Sequence, residues 1–376
     1  MDIQTRAALC TPLCDFLGIE HPILKAPMAG GTDTVELVAA VSEAGGLGIL
    51  GALMLSPEAL RAAIRAIRAR TDRPFGVNLI VHPPEPDGGD VGAARRFFAR
   101  YREELGLPAA DGEVALPPPF VAGQLQVICE EAVPVLNTMG DPTGLVDPAH
   151  AAGIKVMPFV TTVAEARRAV ALGADAVVAQ GAEAGGLRGT FRLGPDGEVP
   201  LVGTMALVPQ VVDAVKVPVV AAGGIMDGRG LLAALALGAA GVMLGTRFSL
   251  ARESGVTASW RAALQTADET DVVVDSVAIG RPARSLRNRL VEEYQRAGLT
   301  PLPFPRQYLI AAEVHVAAQE QDRAELTYLA AGQGVRLAKD GQPAAEIVAE
   351  LVSGAESALR CLARGTLVTA TSGTDH

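Results

Sequence analysis

Eight short apolar runs, most of them followed by a helical pattern, constrain this chain more than any other feature. They fall at 21–28, 47–51, 75–81, 133–139, 154–160, 176–181, 217–223 and 241–248. Runs this short and this uniformly apolar suit strands buried on both faces, which parallel βαβ units provide. Helical periodicity is clearest at 34–43, 57–70, 163–172, 208–215 and 230–237. Thr32 and Ser56 stand where N-caps belong, and Gly45, Gly173 and Gly238 stand where helices stop. The expected fold is therefore α/β, a (β/α)8 TIM barrel.

Residues 217–248 sharpen this into a site. They read VPVVAAGGIMDGRGLLAALALGAAGVMLGTRF: a strand ending in Gly223-Gly224, a helix, and a second strand ending in Gly245-Thr246. Glycine lets backbone N–H groups approach a ligand closely, and a helix start favours an anion. After the seventh and eighth strands of a barrel, such a pair of turns is the usual seat of a cofactor phosphate. Tight packing of helix on strand without a ligand is the plainer alternative.

Composition narrows the class. The 376 residues are 49% hydrophobic, 20% charged and 4% aromatic, so the core is aliphatic. A net charge of −10 argues against nucleic acid or an anionic membrane as partner. Residues 1–14 contain Asp2 and no apolar core, unlike a signal peptide, and the run 231–244 is too short for a bilayer span. Cys10, Cys14, Cys129 and Cys361 lack metal-ligand spacing, which suits reduced thiols in a cytoplasmic protein without a metal.

Two segments exceed a bare barrel. Residues 82–123 are rich in Pro and Gly with a short basic helix near 93–104, and should form a lid or pocket wall after the third strand. From 251 to 330 the strand pattern gives way to charged helical sequence, read as a small helical domain and a possible dimer surface. The barrel would then comprise 12–250 with 331–365, closed by an amphipathic helix at 344–359.

Three further constellations carry candidate chemistry. QGAEAGGLRGTF after the sixth strand puts Gln180, Glu183 and Arg188 among glycines at the barrel mouth, either against a ligand or as a flexible crossover. KAPMAGG ends the first strand in an apolar shelf, where Met28 is also an ordinary core residue. FGVNL places Asn78 inside an apolar strand, where its amide needs either a ring edge or a neighbouring strand. The basic cluster RPARSLRN at 281–288 reads equally as a solvated helix face or as a contact to an anionic ligand.

Taken together, HPILKAPMAGGTD, FGVNL, GADAVVAQGAEAGG, VPVVAAGGIMDGR, MLGTRF, RPARSLRN and AAGQGVRLA resemble the nitronate monooxygenase family, in family order. The resemblance implies FMN with its phosphate on Gly223, Gly224, Gly245 and Thr246. It implies ring contacts from Pro27, Met28, Asn78, Gln180 and Gly185, with Ala29, Gly186, Met243 and Leu244 completing the cofactor set. Family members resembling this chain read QG-x-EAGGH, the His being the catalytic base; here that position is Leu187. An isobutyl group takes no proton, so nitroalkane deprotonation should fail while a preformed nitronate remains oxidisable by dioxygen. Leu187, Asn137 and His82 are the expected pocket residues, His82 being the best-placed substitute imidazole. His315 reads as solvated or packed in the helical segment, and the catalytic residues otherwise stay unassigned. Competing readings are an NAD(P)H-dependent reductase of quinones or enoyl thioesters and a flavin-binding paralogue without turnover.

Overall fold

The computed structural model describes residues 9–28, 30–53, 55–81, 88–109 and 120–368. Its centre is a closed barrel of parallel strands in the order β1 (Ile23–Lys25), β2 (Leu47–Gly51), β3 (Phe75–Ile80), β4 (Val135–Met139), β5 (Lys155–Val160), β6 (Val177–Gln180), β8 (Val219–Ala222) and β9 (Gly241–Leu244). Each strand lies within the run expected of it. β7 (Gly186–Leu187) stands outside the barrel.

Alternation along the strands builds the two layers of the core. Ile23, Val177, Val219 and Val242 join the cluster under the helices, while their neighbours Leu24, Val178, Val220 and Met243 join an inner cluster. A period of two sends successive side chains to opposite faces, so a uniformly apolar strand fills both.

Helices follow the strands from recognisable caps. Thr34 accepts from Leu37 N at 2.9 Å and caps Val35–Glu43; Thr32, the expected cap, is instead buried, and its carbonyl accepts from Gly255 N. A helix begins where an oxygen reaches the N–H two or three residues on, and only Thr34 has that geometry. Ser56 caps Pro57–Arg68 as expected, and Gly45, Gly173 and Gly238 end their helices at φ 83°, 98° and 91°. The last strand does not run to Phe248: Gly245 turns the chain into a short helix, Thr246–Ser249.

The final helix, Ala344–Ala363, closes the barrel against the Gly228–Ala236 helix. Contact is backbone on backbone: a Cβ at Gly228 would lie 2.1 Å from Ala355 N and 2.3 Å from the Gly354 carbonyl carbon. Gly228→Val should therefore push the closing helix away and lower stability by about 3 kcal/mol, read as a shift in the urea midpoint. An unchanged midpoint would mean that the helix contributes little to holding the barrel shut.

Segment 251–330 holds helices Ala258–Thr266, Arg289–Arg296 and Arg306–Glu320, but it is not purely helical. β10 (Val272–Asp275) and β11 (Ala283–Leu286) pair antiparallel, and β11 pairs in turn with β7. RPARSLRN is thus a buried strand with its flanks, not a helix face, because its apolar partners are the loop after β6 rather than solvent. In the segment after β3, the Val91–Glu104 helix packs onto Arg306–Glu320 through Phe97, Phe98 and Tyr101. The Phe97 and Tyr294 rings meet edge to face at 4.7 Å, and Tyr101 donates to Glu293 at 2.6 Å. Among the described residues no helix is long and apolar enough to cross a membrane.

Candidate functional site

At the end of β1, Lys25 is fully buried and paired with Asp33. Burial pulls the Lys25 pKa down, opposed by the Asp33 charge, and the second carboxylate oxygen accepts from Met28 N at 2.9 Å and Gly51 N at 2.8 Å. One ion pair thereby fixes the Pro27-Met28 shelf to the ends of β1 and β2. The Ser249 hydroxyl donates to the Met28 sulfur at 3.5 Å, and a Cβ at Gly245 would lie 3.9 Å from that sulfur. Shelf and second glycine turn are neighbours. Ala29, the next residue of the shelf, lies outside the described residues.

The two glycine turns are joined by the tail. Gly223 and Gly224 have φ of 114° and 70°, a region that side chains disfavour. Gly332 N donates to the Thr246 hydroxyl at 2.9 Å, and Gln333 N donates to the Glu183 carbonyl at 2.9 Å. The Glu183 carboxylate accepts from Thr204 N and, at 2.7 Å, from the Thr204 hydroxyl. Among the described residues no oxygen accepts the N–H of Gly224, Gly245 or Thr246. Donors left bare at two adjacent turns, one opening a helix, are what a phosphate requires. Arg247 is not one of them: its guanidinium ties the short helix to Gln342 and Glu350.

The loop after β6 is held from within and from without. Gln180 donates to the Leu187 carbonyl at 3.0 Å and accepts from Gly189 N at 2.8 Å, so both ends of its amide meet the loop backbone. Arg188 donates to the carbonyls of Gly181 and Gln180 at 2.6 and 3.0 Å; burial and nearby Arg284 lower its pKa to about 10. From outside, Arg284 donates to the Ala182 carbonyl at 3.0 Å and Arg281 to that of Thr190 at 3.1 Å. Gly185 backs onto the tail, where a Cβ would meet the Ala331 carbonyl carbon at 2.5 Å; the space beside Gly186 is open. The basic cluster, left between two readings by the sequence, acts here as a clamp on this loop.

Inside the barrel, register places Asn78, Asn137 and Met157 side by side. Asn78 donates to the Asn137 side-chain oxygen at 2.8 Å, and Asn137 donates to the Met157 carbonyl at 2.5 Å. Leu187, only 8% exposed, joins an apolar cluster with Met139, Met157, Phe159 and Ala222. Met243 belongs to that cluster and Leu244 to the one beneath the helices. His82 lies outside the described residues. His315 is buried, with Nδ1 near the Leu326 carbonyl and a pKa lowered to about 4 by burial, so it packs rather than titrates near neutrality. Nothing in VVVD or LTYLA signals that a small sheet brings Asp275, Ser285 and Tyr328 onto the face that carries Leu187.

The family model described as nitronate monooxygenase matches residues 10–354. The chain belongs to the nitronate monooxygenase family. A probable nitronate monooxygenase from Staphylococcus aureus strain MSSA476 is 39% identical over 345 residues, covering 91% of this chain and 96% of the relative. Among solved structures, nitroalkane oxidase from Streptomyces ansochromogenes aligns with a TM-score of 0.85 at 35% identity, covering 93% of this chain and 99% of its own. FabK from Thermotoga maritima aligns with a TM-score of 0.76 at 34% identity, covering 94% and 98%. Membership makes this chain an oxidoreductase of a flavin-dependent family, carried on the expected (β/α)8 barrel.

Proposed function

We propose that this enzyme binds FMN and oxidises an alkyl nitronate, or a similarly anionic carbon acid, with dioxygen. The observation that carries the substrate reading is Leu187. It sits on β7 among Met139, Met157 and Phe159, none of which takes a proton from carbon. A nitronate arrives already deprotonated and needs no such acceptor; a neutral nitroalkane does.

The residues present fit a flavin phosphate: Gly224, Gly245 and Thr246 offer N–H groups that no carbonyl among the described residues accepts, beside the positive-φ turn at Gly223. Pro27 and Met28 would floor the ring, with Asn78 and the open side of Gly186 at its edges. A flavin held by these residues would supply the redox chemistry that links the carbon acid to dioxygen. The protein's own part is rigidity and dryness. Lys25 and Asp33 lock the shelf, Gln180 and the arginine clamp lock the loop, and the apolar cluster around Leu187 keeps water from the reacting carbon.

Likeness to FabK favours a second reading, reduction of an enoyl thioester or quinone by a pyridine nucleotide. One experiment separates the two. The purified protein is titrated under nitrogen with propane 2-nitronate and, separately, with NADPH, while the visible flavin absorbance is followed. Bleaching by nitronate is expected. Bleaching by NADPH alone would replace the proposal with the reductase, and no response to either would leave a flavin-binding protein without this chemistry.

A further inference from the structure

The small sheet built from β10, β11 and β7 sets one row of residues across three strands. Leu187 pairs with Ala283, and Ala283 pairs with Asp275. Residues directly opposite in an antiparallel pair project from the same face, so Asp275 shares the face of Leu187 about 10 Å along the row. Ser285, two residues after Ala283, projects likewise. Ser285 bridges to Ala330, and Tyr328 lies two residues earlier in that extended stretch.

The contacts agree with this register. The Ser285 hydroxyl donates to one Asp275 oxygen at 3.2 Å, and Val277 N donates to the other at 2.8 Å. Tyr328 packs against the cluster that contains Leu187 and Ala283. Its hydroxyl is buried and meets no hydrogen-bond partner among the described residues. An unmet phenol beside a carboxyl, on the wall that carries Leu187, is an arrangement no core requires.

We infer that Asp275, Ser285 and Tyr328 form the polar wall of the substrate pocket, Tyr328 donating to the bound anion's oxygens while Asp275 takes up a proton as that anion binds. The inference rests on the reading that an anionic substrate occupies the barrel mouth. No redox step is involved. A proton leaves solvent and bonds to a carboxylate oxygen of Asp275, and the pocket's net charge is unchanged by the incoming anion.

The electrostatics run the same way. Burial already raises the Asp275 pKa to about 6, with Arg287 the cation that opposes it and Ser285 and Tyr328 the neutral groups facing it. Burial and the nearby Asp275 charge hold the phenol protonated, so Tyr328 stays a donor. At pH 7 Asp275 is mostly ionised; a second negative charge nearby lifts its pKa further and draws a proton in.

The test uses butanoate, a redox-inert anion of suitable size, titrated calorimetrically into the holoenzyme at pH 7 in two buffers of different ionisation enthalpy. Wild type is expected to take up roughly half a proton or more per butanoate. Asp275→Asn, which keeps an oxygen for Val277 N, should bind with no uptake. Tyr328→Phe should weaken binding about tenfold while uptake persists. Equal uptake in wild type and Asp275→Asn, unchanged affinity in Tyr328→Phe, or no butanoate binding by wild type would each overturn the inference. Coupled uptake in a protein that fails to oxidise nitronate would sustain the wall and refute only the proposed reaction.

Discussion

Leu187→His should raise kcat/KM for a neutral nitroalkane by about 10²–10⁴, the usual contribution of a positioned general base, while leaving nitronate oxidation nearly unchanged. The position is suited to the change. Its backbone is fixed on both sides, by the Gln180 amide at the Leu187 carbonyl and by pairing with Ala283, so a new imidazole enters a set geometry. The apolar cluster around it holds the ring neutral at pH 7, the form that accepts a proton. Steady-state rates with 2-nitropropane and with its nitronate, for both proteins, give the comparison. A variant no better than wild type on the nitroalkane would show that the pocket has diverged beyond one side chain, and the nitronate assignment would lose its main support.

Lys25→Met should cost about 3–5 kcal/mol of stability, because Asp33 is left as a buried charge without its cation. The damage extends past the pair. Asp33 is the acceptor for Met28 N and Gly51 N, so a carboxyl that neutralises or turns away releases the shelf under the proposed ring. Thermal melting and the flavin-to-protein ratio after purification should fall together. Adding Asp33→Leu should recover part of the melting temperature but none of the flavin, since an apolar pair restores packing without the two hydrogen bonds. If the single variant melted like wild type with full flavin, the pair would be no more than a filler of the strand end.

Much of this architecture was legible in the chain because it rests on local rules. Buried parallel strands cannot alternate, and glycines must follow helices that turn back, so the eight runs and Gly45, Gly173 and Gly238 declared themselves. The turns at Gly223-Gly224 and Gly245-Thr246 were legible for the same reason. What escaped depends on contacts distant in sequence. β7 is two residues long and exists only because β11, almost a hundred residues later, lies beside it. RPARSLRN carries a helix-like spacing of charges, yet Arg281 and Arg284 are buried against carbonyls of another loop, which no periodicity reports. The Gln180 amide looked free for a ligand and meets its own loop backbone; the Asn78 amide nitrogen, left between a ring edge and a neighbouring strand, meets the strand. For Gln180 the partner could not be read at all; for Asn78 it was one of two that the sequence left open.

The pairing of β7 with β11 also bears on how relatives of this enzyme diverge. Because residues 272–286 join β7 through backbone bonds, the proposed wall could be rewritten without altering a barrel strand. A cassette spanning 251–330, exchanged between two family members, would dock by the backbone pairing of β11 with β7 and keep its hold on the loop after β6 wherever Arg281 and Arg284 are retained. On the proposed reading, substrate range in such a scaffold would be inherited through the insert and the flavin seat through the barrel.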